Sequence, residues 1–207
     1  MEFTLVLVRH GESEANVKHM LSGCMDVPLT ERGRRELEDL RKNVDYPVCD
    51  RYYCSPLQRC RDTFHILFPD RTPIVRDCFR EIDFRSLEGW ILSTKDEIDA
   101  YFASWVADEP YLDEETFGDV ASRAKPAILE VVRECLADGL SSATIVMHSG
   151  IMRTALIALF CQPKEDFLTM SVPNGLGYVV TFDDDRPVSY KVLLRRDGLS
   201  CKGAGIG

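Results

Sequence analysis

Short apolar runs alternate with segments of helical period along most of this chain, and that alternation restricts the fold more than any other feature. Phe3 to Val8 reads as a buried strand, and Thr30 to Lys42 as a helix with Thr30 as its cap and Leu37 and Leu40 on one face. Arg51 to Cys54 is a short strand. Behind it Ser55, Pro56 and Gln58 form a helix start, with Ser55 in the capping position. Ile74 to Arg76 adds a strand. Thr94 with Glu97 opens a helix carrying Ile98, Phe102 and Trp105, and Thr116 opens a long one carrying Val120, Ala124, Ile128, Val131 and Cys135. Thr144 to Met147, Tyr178 to Phe182 and Tyr190 to Leu194 read as strands, and Ile151 to Phe160 as a buried helix. Such a pattern predicts an α/β fold: a three-layer sandwich, a mostly parallel sheet with helices on both faces. No repeat or interdomain linker breaks it, so a single domain over residues 1–207 is expected, with a lid-like helical segment at about 90–117.

In sheets of this kind, ligands gather outside the carboxyl ends of strands. Two such ends here carry Arg9-His10-Gly11 and His148-Ser149-Gly150, so two of the four histidines fall where a site is expected. The longer strings are more specific. Leu7 to Asn16 (LVRHGESEAN), Asp26 to Gly33, Ser55 to Thr63, Arg80 to Gly89 and Val146 to Arg153 resemble, in order, the motifs of the histidine phosphatase superfamily, also called the phosphoglycerate mutase-like family. The matches run from residue 5 to about residue 182.

The resemblance implies a nucleophile at His10, which takes the phosphoryl group onto itself, and a proton donor at Glu81. It implies a phosphate pocket of Arg9, Arg59 and His148, edged by Asn16, Ser22, Gly23 and Ser149. These residue types suit the chemistry. Phosphoryl transfer is catalysed mainly by positioning and electrostatic stabilisation, guanidinium forks match phosphate oxygens, and a neutral imidazole is a good nucleophile. Glu81 can protonate the leaving oxygen and later activate the releasing water. Arg61, His19 and His65 lie outside these roles and read as ordinary polar residues. Ser149 stands where glycine is commoner in the family. Met20 stands where arginine is often found, which removes one cation from the mouth.

The family divides into mutases and phosphatases. The mutase pattern has an arginine after the acid residue, a lysine about ten residues on and paired arginines after a tryptophan. Here those positions hold Ile82, Leu92 and Val106-Ala107, and Phe84 replaces the mutase tyrosine. The loop from Glu81 to Gly89 and the Glu115-Thr116-Phe117 segment look like the small bacterial phosphatase branch, which includes α-ribazole phosphatases. A phosphomonoesterase of the histidine acid phosphatase type is therefore expected, acting on a small-molecule phosphate monoester. The competing readings are a cofactor-dependent phosphoglycerate mutase and a non-catalytic phosphate-ligand sensor. The segment from Trp90 to Phe117 holds six aromatic residues, one cation (Lys95) and the acids Asp108, Glu109, Asp113, Glu114 and Glu115. That composition suggests a lid that repels a second anionic group and favours flat or neutral substrates.

Composition bounds the setting. The net charge of −9 disfavours nucleic acid or an anionic membrane as partner. No apolar stretch is long enough to span a bilayer, and Met1-Glu2-Phe3 leads straight into a strand pattern, so no signal peptide is expected. Eight cysteines, at 24, 49, 54, 60, 78, 135, 161 and 201, are scattered without a CxxC pair. They read as reduced thiols of a cytoplasmic protein, and neither they nor the histidines show metal-ligand spacing. No cofactor and no metal is expected, and both a monomer and a homodimer are open.

Overall fold

The computed structural model describes residues 1–196; Cys201 lies outside them. Among the described residues six strands form one sheet: β1 (Glu2–Arg9), β2 (Arg51–Cys54), β3 (Ile74–Val75), β4 (Ser142–Met147), β5 (Gly177–Asp183) and β6 (Arg186–Val192). Their order is β3-β2-β4-β1-β5-β6. The pairs β3-β2, β2-β4 and β4-β1 are parallel, while β5 runs antiparallel to both β1 and β6. Only β5 is reversed, so the sheet is mostly parallel, as the alternation implies. Parallel neighbours need crossovers, and helices supply them: α1 (Glu14–Lys18), α2 (Glu31–Asn43), α3 (Gln58–Leu67), α4 (Lys95–Ala107), α5 (Phe117–Ala137) and α6 (Ser149–Phe160).

The continuous apolar run of β1 reflects burial on both faces. Side chains alternate across a strand, so Phe3, Leu5 and Leu7 join a core with α5 and α6, whereas Val6 and Val8 join a second core with α2 and α3. Each such fully buried aliphatic or aromatic side chain contributes about 1.5–3 kcal/mol over its exposed state. The layers that result are helices, sheet, helices.

Several helix starts follow the local chemistry. The Thr30 hydroxyl accepts from Gly33 N at 2.8 Å, and Leu37 and Leu40 are buried behind it. Thr94 with Glu97 and Thr116 with Asp119 form reciprocal capping boxes. One start departs from expectation. Leu57 is the N-cap of α3, with no side-chain cap bond, and Ser55 turns elsewhere. Its hydroxyl lies 2.8 Å from the buried His148 ring, and Asp26 of a distant loop accepts from Gln58 N at 2.7 Å instead. A carboxylate at a helix N-terminus is favoured by the dipole, and a buried imidazole needs a partner, so long-range bonds displace the local cap. β6 also begins earlier than its apolar residues indicate. It is an exposed edge strand, aligned by its turn to β5 rather than by burial.

Register places the site. Val8 pairs with Val146 and Arg9 with Met147, so β1 and β4 end side by side. The next residues, His10 and His148, are thereby brought together. Their ring centroids lie 5.1 Å apart.

Candidate active site

His10 is buried, and its backbone is fixed on three sides. Its N–H donates to Met147 O at 3.0 Å, and its carbonyl accepts from Asn174 Nδ2 at 2.9 Å and from Gly175 N at 3.3 Å. The ring Nδ1 is 2.7 Å from Gly11 O. A carbonyl only accepts, so Nδ1 carries the proton and Nε2 keeps its lone pair. Nε2 has no hydrogen-bond partner among the described residues, and the ring lines an open cleft. Burial, then the neighbouring Arg59 and Arg9 charges, hold its pKa well below the ordinary value near 6.5. The imidazole is therefore neutral and pre-oriented, with its nucleophilic nitrogen toward the cleft. Thr63 Oγ1 ties this turn to α3, accepting from Gly11 N at 2.8 Å and donating to Arg59 O at 2.6 Å.

Arg59, in the first turn of α3, is almost fully buried yet reaches the cleft. Its Nε donates to His148 Nδ1 at 3.2 Å. Nη1 donates to Met25 O at 2.8 Å, and Nη2 to Ser22 O and Gly23 O at 3.2 and 2.9 Å. Four of its five N–H groups are thus engaged, leaving one on Nη1. Because His148 Nδ1 accepts, the ring proton sits on Nε2 and is donated to Ser55 Oγ at 2.8 Å. His148 is fully buried, and its pKa is lowered first by burial and then by Arg59. Its ring lies behind Arg59 rather than on the cleft surface, in a position to orient that guanidinium.

Glu81 occupies the cleft at the N-terminus of α6. Its Oε1 accepts from Ile82 N and Ile151 N at 3.0 and 2.8 Å, and Oε2 from Gly150 N at 2.9 Å. The first N–H groups of a helix lack intrahelical partners, so this is where an acidic side chain is best held. Gly150 makes the approach possible: a Cβ there would lie 2.6 Å from Ile82 Cδ1 and 2.7 Å from Glu81 Oε1. From behind, Arg123 Nη2 donates to Glu81 O at 2.8 Å and Nη1 to Arg80 O at 3.0 Å, while Arg123 is itself paired with Glu115. Glu115 also accepts from Asp83 N at 2.8 Å. The acid loop is clamped on both sides of Glu81.

The remaining expected residues divide. Asn16 lines the cleft, and its Oδ1 accepts from Ser13 N, Ser13 Oγ and Asn174 Nδ2 at 3.1, 3.2 and 3.2 Å. Its amide nitrogen is left as the donor. Ser22 lines the cleft as well. Gly23 does not: its N–H donates to Glu88 Oε1 at 2.9 Å and its carbonyl accepts from Arg59. A Cβ at Gly23 would fall 1.7 Å from Ile82 O, so close backbone packing requires this glycine. Its expected contact with the phosphate edge is thus replaced by a role in holding Arg59. Ser149 is buried at the start of α6, off the cleft surface. Arg9 is buried, with Nη1 on Val172 O at 2.7 Å. Its pKa is lowered to about 10, first by burial, with Arg153 and Arg59 adding repulsion against the opposing pull of Glu81.

Of the lid residues, Tyr101 and Phe102 line the cleft, while Trp105 and Phe117 are core. The lid acids do not face it. Asp108 accepts from Gly118 N and pairs with Lys164, Asp113 binds Ser86, Glu114 is buried on Tyr111 N and Leu112 N, and Glu115 pairs with Arg123. Each of these four acids is held by local structure away from the cleft lining, although the buried Glu114 charge still acts on Tyr101. Arg153 is the site residue with no sequence-level signal beyond its place in the second histidine motif. It is a second cleft-lining cation beside Arg59.

Among the described residues, Cys24, Asp83 and Glu88 are the one group whose ligand atoms could meet a cation. Both Glu88 oxygens are already used by the N–H groups of Gly23, Cys24 and Met25, and none of the three lines the cleft. The seven described cysteines are free thiols, and no helix of the described residues is long and apolar enough to cross a membrane.

Comparison with known proteins agrees with this geometry. The family model of the histidine phosphatase superfamily (branch 1) matches residues 5–193. A 2,3-bisphosphoglycerate-dependent phosphoglycerate mutase of Bartonella quintana is 29% identical, over 92% of this chain and 98% of that protein. The adenosylcobalamin/alpha-ribazole phosphatase of Salmonella typhimurium is 27% identical over 83% of this chain and 86% of its own. The solved alpha-ribazole phosphatase of Shigella flexneri superposes with a TM-score of 0.75 at 26% identity, covering 92% of this chain and 96% of the other.

Proposed function

The chain belongs to the histidine phosphatase superfamily, and on that premise we propose that it hydrolyses small-molecule phosphate monoesters through a phosphohistidine on His10 Nε2. The observation that carries the reading is the His10 ring itself. It is neutral, locked by Nδ1 onto Gly11 O, and open at Nε2 to a cleft that also holds Arg59, Asn16 and Glu81.

The reaction runs in two halves. The phosphoryl group rests against Asn16 Nδ2 and the remaining Arg59 N–H, in the positive field of Arg9 and Arg59. The Nε2 lone pair attacks phosphorus as the bond to the ester oxygen breaks, and Glu81, having taken up a proton in the substrate complex, gives it to that oxygen. Water then attacks the phosphoryl group on Nε2 and gives a proton to Glu81, and the P–N electrons return to the ring. Phosphate leaves with His10 restored, and no step requires a metal ion. Buried free thiols at Cys49, Cys54, Cys60 and Cys135 support a cytoplasmic setting.

The second reading is a phosphoglycerate mutase, favoured by the similarity to the Bartonella quintana phosphoglycerate mutase. Against it, Ile82 and Phe84 contribute apolar surface to the cleft where mutases are expected to carry polar or charged groups. A screen of phosphomonoesters with the His10→Ala protein as control tests the proposal. Wild type should release inorganic phosphate, and acid-labile, base-stable label should accumulate on quenched wild type but not on the variant. Full activity in His10→Ala would overturn the nucleophile. Interconversion of 2- and 3-phosphoglycerate faster than phosphate release would move the chain to the mutases. Tight binding without turnover would make it a sensor.

A further inference from the structure

Arg153 has a place in the cleft that phosphoryl transfer on His10 does not use. Its Nε donates to Ser149 O at 3.3 Å and Nη1 to Phe167 O at 3.1 Å, and its Cζ lies 4.0 Å from the centroid of the Phe167 ring. These contacts fix the guanidinium plane. Among the described residues, Nη2 has no hydrogen-bond partner and no carboxylate forms an ion pair with the group. Glu81 is the acid that pulls on it most, but both Glu81 oxygens are already held by backbone N–H groups. A cation set into an apolar wall without an ion-pair partner is costly unless something else compensates it.

The surroundings identify what that something is. Tyr101, Phe102, Phe84 and Phe167 line the same cleft, so its body is aromatic and apolar with a low local dielectric, and a charge pair formed there is strengthened. The acids Asp108, Asp113, Glu114 and Glu115 make their hydrogen bonds and ion pairs away from the cleft, and none of them lines it. Arg59, by contrast, is tied through Ser22, Gly23 and Met25 to the phosphate end. One free guanidinium edge, stacked and planar, matches one planar monoanion. A second phosphate would bring more negative charge than this single cation balances, in a cleft that already contains Glu81.

We propose that Arg153 forms a carboxylate subsite, so that the preferred substrates are phosphate monoesters whose apolar or aromatic body carries a carboxylate. This rests on the phosphatase reading and names its substrate class. The test compares 3- and 4-carboxyphenyl phosphate with their methyl esters, and with p-nitrophenyl phosphate, on one preparation. For at least one positional isomer, the acid should exceed its ester in kcat/KM by about tenfold or more, as for a charge-assisted hydrogen bond. Arg153→Met should bring that ratio toward one, and Arg153→Lys should keep part of it. Equal kcat/KM for acid and ester in wild type would overturn the subsite, even with p-nitrophenyl phosphate turned over, and needs no variant that might unfold. A wild-type preference that survives in folded Arg153→Met would overturn it too. Absence of hydrolysis of every ester would instead refute the phosphatase reading, and the subsite with it.

Discussion

Replacing Glu81 with glutamine separates what this residue does for the chemistry from what it does for the fold. In the native structure its carboxylate receives three backbone N–H groups, two on Oε1 and one on Oε2. A glutamine that keeps its oxygen toward Ile82 and Ile151 turns an NH2 toward Gly150 N. That leaves a buried donor without an acceptor, which costs about 1–3 kcal/mol. Loss of the negative charge at the start of α6 removes roughly another 0.3–1 kcal/mol. The sum, about 1.3–4 kcal/mol, should appear as a fall of about 2–4 °C in Tm per kcal/mol. It acts on the enzyme whatever the substrate. The chemical effect is selective. An alkyl leaving group needs its proton and should lose about 10²–10⁴-fold in kcat, whereas p-nitrophenolate leaves unaided and should lose far less. Steady-state kinetics on an alkyl and a p-nitrophenyl ester, at a temperature where the variant is folded, gives the two losses directly. Equal losses would mean that Glu81 only shapes the cleft, and the acid-base role would fall.

The pH dependence of stability follows from the two buried histidines. His10 and His148 have folded pKa values well below 6.5, so the unfolded chain binds more protons than the native one as the pH drops through 6.5. Their contribution is complete above that pH and is lost below it. Stability should fall with a slope that approaches about 1.4 kcal/mol per pH unit for each histidine once the pH is well below 6.5, read from urea midpoints between pH 7 and 5, and a flat profile would contradict the burial of neutral rings. Catalysis without a metal is tested separately. Dialysis against EDTA should leave phosphate release intact, while vanadate, a mimic of pentacoordinate phosphorus, should inhibit. Loss to EDTA with recovery on zinc or magnesium would overturn the mechanism.

Local chemistry alone made much of this molecule legible. Thr30, Thr94 and Thr116 cap helices because each has its hydroxyl within reach of its own first turn, and Thr30 still accepts from Gly33 N while its hydroxyl donates to Glu12 Oε1 at 2.6 Å. The apolar runs of β1 and β4 declare burial on both faces, and the motif residues His10, Arg59, Asn16 and Glu81 do meet in one cleft. What tertiary structure decided is the choice of partners among groups far apart in the chain. Ser55 has the form of a cap and bonds His148 instead, because β2 and β4 end together. Gly23 has its N–H taken by Glu88, sixty-five residues on. The acids of residues 108–115 read as a charged lid, but Asp108, Asp113, Glu114 and Glu115 are spent on backbone N–H groups and cations nearby. Arg153 reads as one more helical arginine until the Phe167 ring and the cleft appear beside it. Secondary structure follows from neighbours in sequence, which a pattern records. A polar side chain's role depends on which donor or acceptor reaches it first in three dimensions, and one-dimensional spacing carries no record of that distance.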